Sequence, residues 1–375
     1  MTLKESLCEI VGIVNAMVDA EPWKEPNKAT LETALRLYEA IPQPWEETIG
    51  EKAADGFYKR GNVYFKLNDF EKSIASFDKA IELDPNDAVA YNNRGGTKRE
   101  LGQYEQAIAD FDKAIELNPN YAVAYLNRGY TKRKLERFDE ALLDFNKAII
   151  DFSRTIELNP DDAVTYQYRG FAKIELKQYE QAIPDLDKAI ELNPHIAAYC
   201  HRGFAKKELK QFEQAIADFD KVIELNPNHI AAYYHRGFAR IQLGLYEAAI
   251  DDYDMMIGVD PDEYAFHNRA FSKFKIGKTD DAIVDLKCAL QIAGDFLPSY
   301  AVLGDCYRAL GKNSDAETAY TKALELTTPE NLTQNYRPPI RAERGLKALG
   351  REVTTNYTQL AIEKGLITEK EIEVL

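Results

Sequence analysis

The sequence is poor in the residues from which reactive sites are built. Its 375 residues include four cysteines, five histidines and two tryptophans. Cys8, Cys200, Cys288 and Cys306 stand far apart, with neither disulfide pairing nor metal-ligand spacing, and read as free thiols of a reducing compartment. His195, His201, His229, His235 and His267 form no His-Glu-x-x-His motif, and no Cys-x-x-Cys occurs. A phosphate-binding loop of the form Gly-x-x-x-x-Gly-Lys-Ser/Thr is also missing; Gly311-Lys312-Asn313-Ser314 reads as a turn between helices. These absences argue against an enzyme and leave no cofactor or metal to expect. No run of about 18 apolar residues exists, so no membrane span is expected. The apolar run from Ile10 to Val18 is short and follows Glu5 and Glu9, unlike a secretory signal, and a cytoplasmic location is expected. Positive charge is the remaining shortage. Lys and Arg total 47 against 62 Asp and Glu, a net charge of −15, which disfavours nucleic acid as a partner.

What the chain has in quantity is repetition. A Gly inside Tyr-x-x-Arg-Gly recurs at Gly95, Gly129, Gly170, Gly203 and Gly237, at a spacing of about 34 residues. Gly61 and Gly304 keep the frame, and Ala270 replaces the Gly once. A small residue follows at Ser73, Ala107, Ala141, Ala182, Ala215, Ala249, Ala282 and Ala316. Phe77, Phe111, Phe145, Leu186, Phe219, Tyr253, Leu286 and Tyr320 come next, and Pro85, Pro119, Pro160, Pro194, Pro227 and Pro261 close the repeats. Apolar residues fall at helical spacing on both halves of each repeat. The Gly and the small residue let two antiparallel helices approach, the large residue fills the gap to the next hairpin, and Asn-Pro or Asp-Pro ends the second helix.

This pattern resembles the tetratricopeptide repeat family, whose unit is a helix–turn–helix of about 34 residues. The resemblance implies an all-α, right-handed superhelical solenoid of eight hairpins, beginning at Ala54, Ala88, Ala122, Ala163, Ile196, Ile230, Glu263 and Leu297. The array occupies 53–330, between an N-terminal helical cap (1–52) and a C-terminal one (331–375). Cap helices are expected around Leu3–Asp19, Asn27–Ala40, Ile340–Leu349 and Val353–Lys364.

Two departures from the pattern carry information. Repeat three holds seven extra residues near 149–157, because Asp144-Phe145-Asn146-Lys147-Ala148-Ile149-Ile150 is followed by the near-copy Asp151-Phe152-Ser153-Arg154-Thr155-Ile156-Glu157. Seven residues are almost two turns, about 10 Å, and rotate the helix face by only about 20°. One lengthened second helix over 138–158 is expected. The second departure is a charge ladder. Arg60, Arg94, Arg128, Arg169, Arg202, Arg236 and Arg269 precede the small residue, with Lys98, Lys132, Lys173, Lys206, Arg240 and Lys273 one turn on in repeats two to seven. Asp110, Asp144, Asp185, Asp218, Asp252 and Asp285 recur on the second helices. Repeats one and eight lack base and acid together, having Tyr64 with Ser76 and Tyr307 with Ala319. Structural ion pairing explains the co-occurrence, since a partly buried cation needs a partner; an open basic stripe is the alternative.

In the family, first helices line a concave groove. Carried onto this chain, repeat position 9 supplies Tyr130, Phe171, Phe204, Phe238 and Phe271, and position 6 supplies Asn93, Asn127, Tyr168, His201, His235 and Asn268. These positions share one stripe at helical spacing. The rings either form the groove floor or pack between neighbouring first helices. Eight basic residues on the six groove positions face five acidic ones, so the groove is mildly basic in an acidic protein and suits a protein or peptide with an acidic segment. The expected function is a scaffold that binds such a segment. A co-chaperone gripping terminal carboxylates is the alternative, as is a regulatory or assembly subunit. Only Asn62 and Asn93 match the family's carboxylate grip; Tyr58, Val123 and Asn127 replace its other residues.

Overall fold

The computed structural model describes residues 28–41, 45, 50, 52–328, 332 and 337–367; among these residues there are helices and no strands. The chain divides into two compact units, 1–205 and 206–375. The first contains α1 (Lys28–Glu39), then hairpins of α2 (Lys52–Lys66) with α3 (Phe70–Leu83), α4 (Ala88–Glu100) with α5 (Tyr104–Leu117), α6 (Ala122–Lys134) with α7 (Phe138–Leu158) and α8 (Ala163–Glu175) with α9 (Tyr179–Leu192). The division falls inside α10 (Ile196–Glu208). The second unit continues with α11 (Phe212–Leu225), then pairs α12 (Ile230–Gln242) with α13 (Tyr246–Val259), α14 (Glu263–Lys275) with α15 (Thr279–Ile292) and α16 (Leu297–Ala309) with α17 (Asn313–Glu325). It ends with α18 (Arg337–Ala348) and α19 (Tyr357–Glu363). No helix among the described residues is long and apolar enough to cross a membrane.

Local chemistry sets the helix ends. Oδ1 of Asp84, Asn118 and Asn226 each accepts the N–H two residues on at 3.1 Å, wrapping the turn around Pro85, Pro119 and Pro227. Asp87, Asp162 and Asp262 then cap α4, α8 and α14 through their carboxylates. Inside each hairpin, one residue of the turn takes a positive φ. It is Gly at 102, 244, 277 and 311, but Asn68, Glu136, Lys177 and Lys210 adopt φ of 58–60° with a side chain attached.

The helices of a hairpin meet where the sequence supplies no side chain. A Cβ on Gly95 would come within 2.8 Å of the Phe111 ring, and one on Gly129 within 2.9 Å of Phe145. Phe111, Phe145 and Tyr253, the last under Gly237, are fully enclosed at these contacts. The lengthened helix expected over 138–158 is one continuous helix of 21 residues, α7. Its two near-copies divide the packing of an ordinary repeat. Phe145 lies under Gly129 of its own hairpin, while Phe152 stacks on Tyr168 of the next, with centroids 5.9 Å apart.

At the beginning of the array, Leu31, Ala34 and Tyr38 of α1 join Trp45, Phe57 and Val63 in one core cluster. At its end, Ala342 and Leu346 of α18 pack with Leu297, Ala301 and Tyr320. The helix expected around Leu3–Asp19 lies outside the described residues. α18 starts three residues earlier than the sequence reading placed it, because Pro338 and Pro339 occupy its first turn, where a missing N–H leaves no bond unmade. α19 starts later than expected, at the side-chain cap made by Asn356 to Gln359.

Candidate interaction groove

The charge ladder holds the first helices in place. In the first unit, Arg94 donates from Nη2 to Asp110 at 2.6 Å, and Lys98 sits 2.8 Å from the same carboxylate. Arg128 and Lys132 meet Asp144 at 2.6 and 3.1 Å, and Arg169 and Lys173 meet Asp185 at 2.5 and 2.7 Å. In the second unit, Lys206 pairs with Asp218 at 2.8 Å, Arg236 and Arg240 with Asp252 at 2.6 and 2.8 Å, and Arg269 and Lys273 with Asp285 at 2.7 Å each. The acids are almost wholly buried and the bases largely so. The basic side chains are therefore spent on the scaffold rather than presented as a stripe.

Sequence reasoning missed the second half of this network. Five of the six ladder Arg in repeats two to seven also reach back to an acid of the preceding second helix: Arg94 to Asp78, Arg128 to Asp112, Arg202 to Asp187, Arg236 to Asp220 and Arg269 to Asp254, at 2.6–2.7 Å. A signal was present, since these acids sit two residues after the ladder position. Arg169 instead donates to Ser153 Oγ at 3.1 Å, so the near-copy in α7 serves the next hairpin here as well. Its own acid, Asp151, is buried against Lys147 and Arg154, and its Oδ2 accepts no hydrogen bond. In repeat one, Arg60 has Ser76 where repeats two to seven have Asp. Burial lowers its pKa, and its guanidinium rests on Trp45 and Phe57, 4.7 and 4.8 Å from the ring centroids.

On the inward stripe of the first unit, amides bridge successive hairpins. Asn93 Nδ2 donates to Asn62 Oδ1 at 3.0 Å and to the Tyr58 hydroxyl at 3.1 Å, and Asn127 Nδ2 donates to Asn92 Oδ1 at 3.0 Å. The two residues that match the carboxylate grip are thus bonded to each other. Tyr130 follows, half-buried, 6.4 Å from Phe171. Arg99, Arg133 and Lys134 surround its ring at 5.1–5.6 Å from the centroid. Arg99 also donates to Asn127 Oδ1, and Arg133 lies 2.7 Å from Glu175. Burial raises the Glu175 pKa, with Arg133 and Lys134 opposing. His201 stacks on Phe171 at 4.7 Å, and burial pushes its pKa down to about 4, so it is neutral near pH 7. Phe204 sets its edge against Tyr179 at 6.3 Å.

In the second unit, His235 stacks on Phe219 at 5.5 Å with its pKa pushed down by burial to about 4. Phe238 carries Lys207 over its ring, and Phe271 carries Lys275 and Arg341. Asn268 lies beside Phe271 in the lining of a cavity. All five position-9 rings are partly exposed. Three of them meet a ring of the preceding hairpin: Phe171 with Tyr130, Phe204 with Tyr179 and Phe271 with Tyr246. Each unit thus carries a first-helix stripe of partly exposed rings, with cations at the faces of Tyr130, Phe238 and Phe271 and amides or neutral imidazoles beside them.

Family models described as tetratricopeptide repeat match residues 54–87, 88–121, 111–142, 165–196, 196–229, 230–263 and 297–328. No curated protein sequence matches the chain. Among solved structures, human IFIT1, as a dimer with PPP-AAAA, aligns with a TM-score of 0.55 at 15% identity over 86% of each chain, which is a likeness of fold alone. YrrB, a protein of the same repeat type with an unusual peptide-binding site, is 29% identical over 51% of this chain and 96% of its own, with a TM-score of 0.35. A repeat protein from Parabacteroides merdae is 19% identical over 67% of this chain and 98% of its own, with a TM-score of 0.46.

Proposed function

We propose that this chain, which belongs to the tetratricopeptide repeat family, is a protein-interaction scaffold that holds an extended peptide or protein segment on the inward faces of its first helices. The observation that carries this reading is Tyr130: a half-open ring enclosed by Arg99, Arg133 and Lys134, next to the Asn92–Asn127 amide bridge. An aromatic anchor with fixed hydrogen-bonding groups alongside suits a peptide backbone and its side chains, and amides already held in place lose little freedom on binding. The reading needs no catalytic group. The cations on the rings favour a segment that carries negative charge, consistent with groove positions that are more basic than the protein as a whole.

The test is retention of a library of capped peptides, and of lysate proteins, on the immobilised full chain. Tyr130→Ala and Phe204→Ala should each weaken retention while the helical circular-dichroism signal persists. Anchors of this kind are worth about 2 kcal/mol or more. Wild-type retention by both variants would refute the groove assignment.

A further inference from the structure

Within the second unit, the inward face ends in a cavity of about 360 Å³, walled on one side by α18. Its floor is apolar, formed by Phe238 and Phe271 with Val302 beside them. Its rim is cationic, with Lys275, Arg337 and Arg341, and no Asp or Glu lines it. Arg341 is already held: its Nε lies 3.0 Å from Asp305, whose other oxygen accepts from the Tyr320 hydroxyl at 2.6 Å, and its guanidinium covers Phe271. Lys275 and Arg337 are exposed and make no ion pair with any described residue. Asn268 adds an amide at the wall, and His267, bonded to Ser299, is neutral because burial pushes its pKa down to about 3. Two uncompensated cations thus gather over an apolar floor in a protein of net charge −15.

The choice of anion follows from what the rim lacks. A phosphate is favoured by a dense nest of backbone N–H groups. α18 begins Arg337-Pro338-Pro339, and the two prolines carry no N–H, so recognition falls to side chains. A planar carboxylate is matched by one guanidinium and one ammonium, and the Phe pair offers a seat for an apolar neighbour.

We propose that this cavity reads an acidic side chain, aspartate or glutamate, of a partner peptide: the carboxylate takes Arg337 and Lys275, and an adjoining apolar side chain rests on Phe238 and Phe271. The assignment builds on the scaffold reading and deepens it, since α18 then supplies part of the binding surface.

The experiment compares two pools of N-acetylated, C-amidated hexapeptides, randomised around a fixed Glu-Leu or a fixed Gln-Leu pair, on the immobilised full chain at low ionic strength. The Glu pool should be retained about tenfold better, the scale of one charge-assisted contact. In Lys275→Gln/Arg337→Gln, which changes exposed residues only, that preference should fall to within about twofold. It should survive in Lys113→Gln/Lys188→Gln, whose lysines pair on outward helix faces. A Glu-to-Gln ratio near one in the wild type, or one unchanged in the cavity variant, overturns the carboxylate assignment while leaving the scaffold reading intact. Stronger retention of a phosphoserine pool, abolished by millimolar inorganic phosphate, overturns it in favour of phosphate. Retention of neither pool overturns both readings.

Discussion

Two carboxylates on α13, two residues apart, each accept an Arg from a neighbouring first helix, yet they should respond very differently to removal of their charge. Asp252 is 1% exposed and takes Arg236 and Arg240, themselves 14% and 18% exposed; Asp254 is 52% exposed and takes Arg269. Burial raises the pKa of Asp252, and the hydrogen bond and charge of Arg236, then of Arg240, only partly offset this. At Arg236 burial also acts against the charge, but the bonds to Asp252 and then Asp220 outweigh it and the pKa rises. The two partners thus show a pair close to balance, in which desolvation consumes most of the attraction. Keeping the ion pair contributes little net stability, whereas breaking it on one side leaves Arg240 without its carboxylate and Arg236 with only the exposed Asp220. Asp252→Asn should therefore cost about 3 kcal/mol. Asp254→Asn should cost less than about 1 kcal/mol. A triple replacement, Arg236→Met with Arg240→Met and Asp252→Leu, should recover most of the loss. Stacked hairpins can open in steps, so the readout is hydrogen exchange of the α12–α13 amides alongside urea unfolding followed by circular dichroism. Equal losses from the two single variants, or a triple variant no better than Asp252→Asn, would refute the reasoning.

Further expectations follow from particular contacts. Gly95→Ala should destabilise by about 1–3 kcal/mol, because its Cβ meets Phe111 at 2.8 Å, while Gly96→Ala, with nothing within 4 Å, should stabilise by up to about 1 kcal/mol in thermal unfolding. Lys177→Gly should raise the unfolding midpoint, since Lys177 holds φ at 58° where Gly is unstrained; the gain is about 0.5–1 kcal/mol after the added chain entropy. His201 and His235, lowered to about 4, should show no imidazole titration by NMR between pH 8 and 5.5. The unfolded chain gains those protons below about pH 6.5, so their contribution to stability is full above that pH and is lost as pH falls towards 4. His201→Gln should flatten that part of the urea-midpoint profile.

What was legible in the sequence was whatever repeats or acts locally. Gly against Phe, Asn-Pro stops and the length of α7 all follow from spacing, because helix geometry converts position into direction. The Lys of the ladder (Arg240 in one repeat) and its Asp appear and vanish together, and the structure brings them within 3.1 Å. What was not legible depends on a neighbour's placement. The second acid of each Arg, such as Asp220 for Arg236, lies in the preceding hairpin. Trp45, which takes the place of an acid under Arg60, stands outside the repeat pattern altogether. The position-9 rings are neither fully open nor hidden: all five are partly exposed, and Phe171, Phe204 and Phe271 each meet a ring of the preceding hairpin. Arg337 and Arg341 could not be joined to Phe271 without knowing how α18 folds back.

The duplicated stretch in α7 gives the array a way to change its spacing without changing its fittings. Asp144 and Phe145 serve Arg128 and Gly129, and Phe152 and Ser153 serve Tyr168 and Arg169. Each neighbour meets a partner at the place it would in an ordinary repeat, with Ser153 standing where the others have Asp, because the copies differ by nearly two whole turns. The interval between two hairpins can thus lengthen by a quantum of seven residues, about 10 Å, whereas five residues would turn the copy about 140° out of phase. Excising 145–151 leaves Asp144 joined to Phe152 and Ser153, the arrangement of a standard repeat. That shortened chain should keep its helical signal and soluble yield, and a five-residue excision at the same place should lose both. Through this one helix, the distance between successive contact surfaces becomes a property that insertions and deletions can adjust in whole steps.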